Sequence, residues 1–89
     1  MKKIDHLFAK NDLIIIKKLI TLKKPIMITV FSKYINIAHK SVNPRVEFLN
    51  NIKLVNIKIE GRRKLIEINK ENIDFSKKLI FLFKEIPLT

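Results

Sequence analysis

The sequence predicts an α+β domain in which a helix–turn–helix is followed by a β-hairpin. Apolar residues recur at helical spacing on both sides of a short turn at residues 36–38. Residues 54–68 alternate between apolar and polar around the only glycine of the chain. The net charge of +11 favours a polyanionic partner such as nucleic acid. Because 89 residues are the size of one small domain, we expect a single domain over residues 1–89.

The first helix is predicted to begin at Asn11, a candidate N-cap, and to end near Leu22. Asp12 favours this start because a carboxylate is stabilised in the first turn of a helix. Apolar residues cover more than half of the circumference of this helix: Leu13, Ile15, Ile16, Leu19, Ile20 and Leu22. Burial on two sides, against the core and a partner chain, explains this arc. A central position within one core explains it equally well.

A short strand and a second helix are predicted after Pro25, which disfavours helix in the residue before it. The apolar run 26–28 is partly β-branched and predicts a small strand that pairs with the later hairpin. Thr29 is the expected N-cap of a helix from Val30 to about Ile35. Four positions of this helix are predicted to be buried: Val30, Phe31, Tyr34 and Ile35.

A third helix is predicted after the turn at residues 36–38 and extends to Asn51. Its buried face is indicated by apolar residues at spacings of four and three: Val42, Val46 and Leu49. Pro44 must lie near the helix start, where its missing N–H is not needed. The sequence is compatible with two starts for this helix. One is at residues 40–41, and the other is later, with Asn43 as the N-cap.

A β-hairpin is predicted from Leu54 to Ile68. Its inward-facing residues alternate with polar ones along both strands: Val55, Ile57, Ile59, Ile66 and Ile68. Gly61 is expected in the turn, where a positive φ angle is needed. Arg62 and Arg63 stand at the tip, and no acidic residue is expected opposite them. Because a guanidinium is costly to desolvate, we expect both arginines to project into solvent or onto an anion.

The last helix is predicted from Ile73 to about Ile86 and carries a wide apolar stripe. This apolar area exceeds what packing on one small domain requires, which favours a partner helix from a second copy of the chain. A lid over the core of a monomer is the alternative. We expect a homodimer whose interface combines apolar residues of the first and last helices: Ile15, Leu19, Leu22, Phe75, Leu79, Leu82, Phe83 and Ile86.

The residue inventory argues against catalysis, cofactors and metal binding. The chain has no cysteine, so it has no disulfide, thiol nucleophile or cysteine metal site. Its two histidines, His6 and His39, have no partner at metal-ligand spacing, and one glycine cannot form a phosphate-binding loop. We therefore expect no enzyme activity, no cofactor and no small-molecule ligand.

The hydropathy pattern argues against a membrane or secreted protein. No apolar run approaches the ~18 residues of a membrane span, and no secretory signal peptide is evident. We expect an intracellular, cytoplasmic protein with no membrane partner. The richness in lysine and isoleucine suggests AT-rich coding, as in a viral protein that acts in a host cell or in a protein of a thermophilic archaeon.

Two stretches resemble winged-helix transcription regulators of the MarR and ArsR types. Residues 35–42, Ile-Asn-Ile-Ala-His-Lys-Ser-Val, are similar to that family's turn into its recognition helix. Residues 61–69, Gly-Arg-Arg-Lys-Leu-Ile-Glu-Ile-Asn, are similar to its wing, a β-hairpin with a basic tip. The resemblance extends over about residues 11–69, and less specifically over the last helix.

Two positions depart from the family pattern. Lys53 stands where the family has a glycine at the end of the recognition helix. Asn50 or Asn51 is expected to end the helix instead, since asparagine tolerates the left-handed region. Pro44 stands where the family often has a polar residue that reads bases, and proline cannot donate to a base edge.

The resemblance implies a winged helix-turn-helix with a three-helix core, a β-hairpin wing and a C-terminal helix. It implies a DNA-binding core at residues 11–69 and a dimerising helix at 73–86. The implied function is a homodimeric, sequence-specific regulator of transcription, most simply a repressor. Its recognition helix lies in the major groove of double-stranded DNA, and its wing on the minor groove or backbone. The implied DNA contacts are basic and polar: Lys33, His39, Lys40, Ser41, Asn43, Arg45, Lys58, Arg62, Arg63 and Lys64.

Three other functions are weighed against this one. A nonspecific architectural binder of the same fold fits the few arginines, the many lysines and Pro44. A winged-helix module that binds a protein partner would not shift duplex DNA. Binding to a membrane surface is disfavoured, because the basic residues are spread over several elements and do not line one amphipathic helix.

Overall fold

The computed structural model describes the backbone of residues 10–83 and the side chains of residues 10–81. The elements in this part of the chain are α1 (Lys10–Leu22), β1 (Ile26–Met27), α2 (Ile28–Ile35), α3 (His39–Asn51), β2 (Val55–Glu60), β3 (Arg63–Ile68), a 3-10 helix (Lys70–Asn72) and α4 (Ile73–Phe83). The predicted α+β class and the predicted order of elements are confirmed. The helix–turn–helix α2–α3 is followed by the hairpin β2–β3, which is the winged helix-turn-helix arrangement.

The three strands form one antiparallel sheet in the order β1-β3-β2. β1 pairs with β3 through Ile26 opposite Ile66, which confirms the short strand predicted before α2. β2 pairs with β3 along its whole length, beginning with Val55 opposite Ile68. The long hairpin therefore holds the short strand at one edge of the sheet.

The hairpin turns through a two-residue loop, Gly61–Arg62, between the paired residues Glu60 and Arg63. Gly61 has a φ angle of 62° and Arg62 does not have a positive φ angle. This combination fits a type II′ turn, which requires the left-handed side of φ only at its first loop residue. The predicted role of the glycine in the turn is confirmed.

The core lies where α1 is enclosed by α3, by α4 and by the sheet. Residues from every layer are buried in it: Leu13, Ile15, Ile16, Leu19, Ile28, Phe31, Val42, Val46, Leu49, Leu54, Val55, Ile66, Ile68 and Leu79. The predicted buried face of α3 is confirmed by this set. The broad apolar arc of α1 is explained by its central position within one core.

α2 begins earlier than predicted and turns a different face to the core. It begins at Ile28, so Thr29 lies inside the helix, where its carbonyl accepts a hydrogen bond from Ser32 Oγ at 2.9 Å. The prediction that Val30 and Tyr34 are buried is wrong, because they are 49% and 52% exposed. The buried stripe of α2 starts at Ile28 and recurs three and four residues later, which leaves the other side of the helix outside.

α3 begins at His39, one residue before the earliest predicted start, and Pro44 lies at its sixth position. Asn43 is therefore inside the helix and does not cap it. Without an N–H, Pro44 leaves the carbonyl of Lys40 without the hydrogen bond that a helix interior supplies. The helix tolerates this loss near its first turn, where Lys40 is exposed to water.

α3 ends in a Schellman motif in which Lys53 takes the left-handed conformation, with a φ angle of 67°. The N–H of Leu54 donates to the carbonyl of Leu49 at 2.9 Å, and the N–H of Lys53 donates to the carbonyl of Asn50 at 3.0 Å. Leu49 and Leu54 are both buried, and this apolar contact selects Lys53 as the left-handed residue. The left-handed residue was expected at Asn50 or Asn51, so the prediction placed it two or three residues too early.

Candidate nucleic-acid interface

α3 presents a polar face to solvent on the side opposite its buried residues. His39, Lys40 and Ser41 are exposed at its beginning, and Pro44 and Glu47 follow on the next turns. Apart from Pro44, these side chains can donate to base edges and phosphates or accept from base edges. The outward face of α3 therefore carries donors and acceptors that complement those of base edges and phosphates.

The hairpin lies against this face through Lys64, the second residue of β3. Lys64 Nζ donates to Asn43 Oδ1 at 2.6 Å and forms an ion pair with the Glu47 carboxylate. Because Lys64 is next to the last strand pair before the loop, these contacts bring the hairpin tip beside the middle of α3. Asn43 and Lys64, both expected to contact DNA, are bonded to each other, and Glu47 is a partner that the sequence did not identify.

The hairpin tip carries two exposed arginines, Arg62 and Arg63. Arg63 Nη2 lies 4.0 Å from Glu60 Oε1, and Lys58 Nζ lies 3.3 Å from Glu60 Oε2. The expectation that no acidic residue faces the arginines is therefore wrong for Arg63. These groups are all exposed, and exposed ion pairs contribute only about 0–1 kcal/mol, so an incoming phosphate can displace Glu60. Arg62 has no ion pair with any residue from 10 to 81.

Arg45 is used inside the fold. Its Nε donates to Asp12 Oδ1 at 2.7 Å and its Nη2 to Asp12 Oδ2 at 2.6 Å, which joins α3 to α1 through a bidentate pair. The Asp12 side chain is fully buried, and the ring centroid of Phe48 lies 4.7 Å from the guanidinium carbon. The hydrogen bond to Asp12 raises the pKa of Arg45. Arg45 was expected to contact DNA, but its guanidinium holds α1 and α3 together.

Lys33 and His39 line one shallow groove between α2 and the beginning of α3, with a volume of about 510 Å³. The other residues of this groove are Thr29, Ser32, Asn36, Ile37 and Ala38. Lys58, the remaining predicted contact, is exposed on β2 near the hairpin tip. The expected DNA contacts other than Arg45 thus fall in three neighbouring places: this groove, the outward face of α3 and the hairpin.

Three residues predicted at the dimer interface lie in the core of one protomer. Ile15, Leu19 and Leu79 are 0%, 1% and 7% exposed. They cannot contact a partner chain, because α1 is enclosed by α3, α4 and the sheet. This part of the predicted interface is wrong.

The other predicted interface residues are partly accessible or lie outside the described residues. Leu22 is half-buried at the end of α1, and Phe75 is 53% exposed on α4. The side chains of Leu82 and Phe83, and the whole of Ile86, lie outside the described residues. Phe75 is therefore the member of the predicted set that is most available to a second copy among residues 10–81.

The chain was expected to hold no metal ion, and the polar clusters of the described residues form ion pairs within the protein. Among residues 10–83, no group of three His, Cys, Asp or Glu residues is placed to hold a metal ion. In the clusters around Asp12 and Glu47, the carboxylate is paired with a basic side chain, Arg45 or Lys64. Over the same part of the chain, no helix has the length and apolar character to cross a bilayer.

Comparison with known proteins identifies the fold and no family. No protein-family model matches the chain, and no curated protein matches its sequence. The crystal structure of AF1382 from Archaeoglobus fulgidus is similar, with a TM-score of 0.70 and 19% sequence identity over 92% of this chain and 93% of that chain. At this level of identity, the likeness shows the fold alone.

Proposed function

We propose that the protein binds double-stranded DNA as a homodimer and regulates transcription, in the manner of the MarR- and ArsR-type regulators that its sequence resembles. The observation that carries the proposal is the contact of Lys64 with α3. Through this contact, an exposed polar helix face and a hairpin tip with two exposed arginines form one surface. An α-helix about 10–12 Å across fits the major groove of B-DNA, which is about 12 Å wide.

In the proposed complex, α3 lies in the major groove with its first residues nearest to the base edges. The residues that reach the groove first are exposed and polar: His39, Lys40 and Ser41. Arg62 and Arg63 reach the adjacent minor groove or the phosphate backbone, where arginine is favoured. Lys33 and Lys58 contact phosphates, which position the protein without reading sequence.

A homodimer presents two copies of α3 to two half-sites about one helical turn apart, or ~34 Å. Phe75 and Phe81 on α4 are 53% and 75% exposed, and large exposed aromatic rings favour burial against a second copy. Repression is the simplest outcome, because a dimer bound across a promoter excludes the transcription machinery. An intracellular site of action follows from DNA as the partner.

The proposal is tested by selecting sites from a random duplex library and measuring affinity for the selected site at two salt concentrations. An enriched palindrome, bound much more weakly at the higher salt concentration, supports a sequence-specific dimer whose affinity depends on counterion release. Absence of binding at both salt concentrations refutes the proposal and makes a protein partner the better explanation of the fold.

Nonspecific architectural binding is a second candidate, and Pro44 favours it. This residue is exposed near the middle of the outward face of α3 and offers no donor to a base edge. An architectural protein binds a selected site and a random duplex with equal affinity. A sequence-specific regulator prefers its site by about 10³-fold or more, so the ratio of the two affinities separates the candidates.

A further inference from the structure

The outward face of α3 holds a carboxylate in the middle of a surface that is proposed to meet DNA. The Glu47 side chain is 49% exposed and lies one helical turn after Asn43. An isolated carboxylate at this point repels phosphates and opposes the attraction exerted by a net charge of +11. Glu47 is not isolated, because the Lys64 ammonium bonds to it and to Asn43 at the same time.

Lys64 determines which atoms of Asn43 and Glu47 are available to form hydrogen bonds with DNA. An ammonium has donors only, so the Asn43 atom that faces it must be the carbonyl oxygen Oδ1, and the Nδ2 donors point elsewhere. Glu47 accepts from Lys64 through Oε2. Neither Glu47 Oε1 nor Asn43 Nδ2 has a hydrogen bond with any residue from 10 to 81. The cluster therefore presents one acceptor and one donor.

The side chains that carry the acceptor and the donor are held together by one ammonium group. Asn43 Oδ1 and Glu47 Oε2 bind the same Lys64 nitrogen, so these two oxygens are within about 6 Å of each other, twice the length of a hydrogen bond. Lys64 thereby fixes which atom of each side chain, Glu47 Oε1 and Asn43 Nδ2, is available to a base pair.

We propose that Lys64 holds Asn43 and Glu47 as a pair that reads a G·C base pair. The inference rests on the proposed DNA-binding function and assigns one determinant of its sequence preference. In the major groove, cytosine presents its N4 amino donor, and guanine presents the acceptors O6 and N7. Glu47 Oε1 accepts from cytosine N4, and Asn43 Nδ2 donates to guanine.

An A·T pair fits this cluster less well. The adenine N6 amino group lies between two acceptors, adenine N7 and thymine O4, and both repel a carboxylate. Cytosine N4 has such an acceptor on one side only. The negative charge of Glu47 therefore favours cytosine over adenine.

The experiment is site selection from a random duplex library with the parent protein and with Glu47→Gln. In the variant, Lys64 again faces an oxygen, which is now the single oxygen of an amide, so the NH₂ group turns outward. The outward group changes from an acceptor to a donor, which cannot accept from cytosine N4, so the preference for cytosine at one position of each half-site is lost. We expect affinity for the parental site to fall about tenfold, the loss of one good base contact.

Two further variants separate base reading from charge. Glu71→Gln changes the net charge by the same amount at an exposed residue of the 3-10 helix, so the selected sequence stays that of the parent. Lys64→Met releases Asn43 and Glu47, so the preference for cytosine at the same position is expected to be lost. Equal thermal midpoints for Glu47→Gln and the parent show that the fold is unchanged.

The outcomes distinguish this inference from the function on which it rests. If the parent enriches a site and Glu47→Gln enriches the same base at every position, the inference is wrong and sequence-specific DNA binding stands. If the parent enriches no sequence, both the sequence-specific function and this inference are wrong.

Discussion

Replacing Arg45 with methionine tests the bidentate contact between α1 and α3. The change removes both Arg45 hydrogen bonds from a carboxylate, Asp12, whose side chain is fully buried. Removing one partner of a buried pair costs about 3–5 kcal/mol, because the other charge is left with less compensation. The Arg45 side chain is 30% exposed, so water reaches one end of this pair. We therefore expect a loss of about 3 kcal/mol in the free energy of unfolding, the lower limit of that range.

The reverse change, Asp12→Asn, is expected to cost less. Asparagine has nearly the shape of aspartate and keeps an acceptor oxygen for Arg45. The guanidinium also retains its contact with the Phe48 ring and its partial access to water. We expect a loss of about 1.5 kcal/mol, the value of one hydrogen bond to a charged group. The predicted asymmetry follows from the difference in burial between the two side chains.

Urea-induced unfolding of the parent, the two single variants and the double variant measures these losses. The double variant is expected to lose about 1–2 kcal/mol less than the sum of the single variants, because both changes remove the same interaction. Arg63→Met is the matched control, since its exposed pair with Glu60 contributes at most about 1 kcal/mol. Equal losses for Arg45→Met and Asp12→Asn, or strict additivity in the double variant, refute the reasoning.

Three further changes test the hairpin, a helix end and the dimer. Alanine at Arg62 and Arg63 weakens DNA binding, and affinities at several salt concentrations measure the effect. The slope of log affinity against log salt is expected to fall by about 3.6, since the dimer loses four phosphate contacts of about 0.9 each. Glycine at Lys53 raises the free energy of unfolding in urea by about 0.5–1 kcal/mol. It removes left-handed strain of about 1–2 kcal/mol, and the greater entropy of glycine in the unfolded chain offsets part of this gain. Glutamate at Phe75 gives monomers in sedimentation, whereas glutamate at Leu79, which is 7% exposed, unfolds the protein.

Controls for these changes use exposed lysines elsewhere in the chain. Alanine at Lys23 and Lys24 removes the same charge as the hairpin variant from the end of α1, and it is expected to change the salt slope by less. Glycine at Lys17, in the middle of α1, is expected to cost about 1 kcal/mol. Unchanged DNA binding by the hairpin variant contradicts the assignment of its arginines. Destabilisation by glycine at Lys53 contradicts the strain argument, and a dimer that survives glutamate at Phe75 moves the interface elsewhere.

Local patterns in the sequence determined the elements and much of the candidate interface. The spacing of Val42, Val46 and Leu49 predicted the buried face of α3, and with it the polar face that Lys40 and Ser41 occupy. Gly61 located the hairpin turn and placed the two arginines at the tip. These predictions succeed because apolar periodicity and turn chemistry depend on residues that are near one another in the chain. The predicted start of α2 was two residues too late, and both starts considered for α3 were too late, the earlier one by one or two residues. The caps of these helices have no side-chain hydrogen bond to signal them.

Only the tertiary structure decided which polar side chains are used within the fold. Asp12 and Arg45 are 33 residues apart, and Glu47 and Lys64 are 17 residues apart, separations over which no local pattern relates two side chains. The sequence also could not predict that α1 is buried on both sides by its own chain. An apolar arc has the same pattern whether α4 or a partner chain packs against it. The sequence by itself indicates a basic helix and hairpin suited to a polyanion. Tertiary packing decides which side chains of the helix and the hairpin remain available to contact a polyanion.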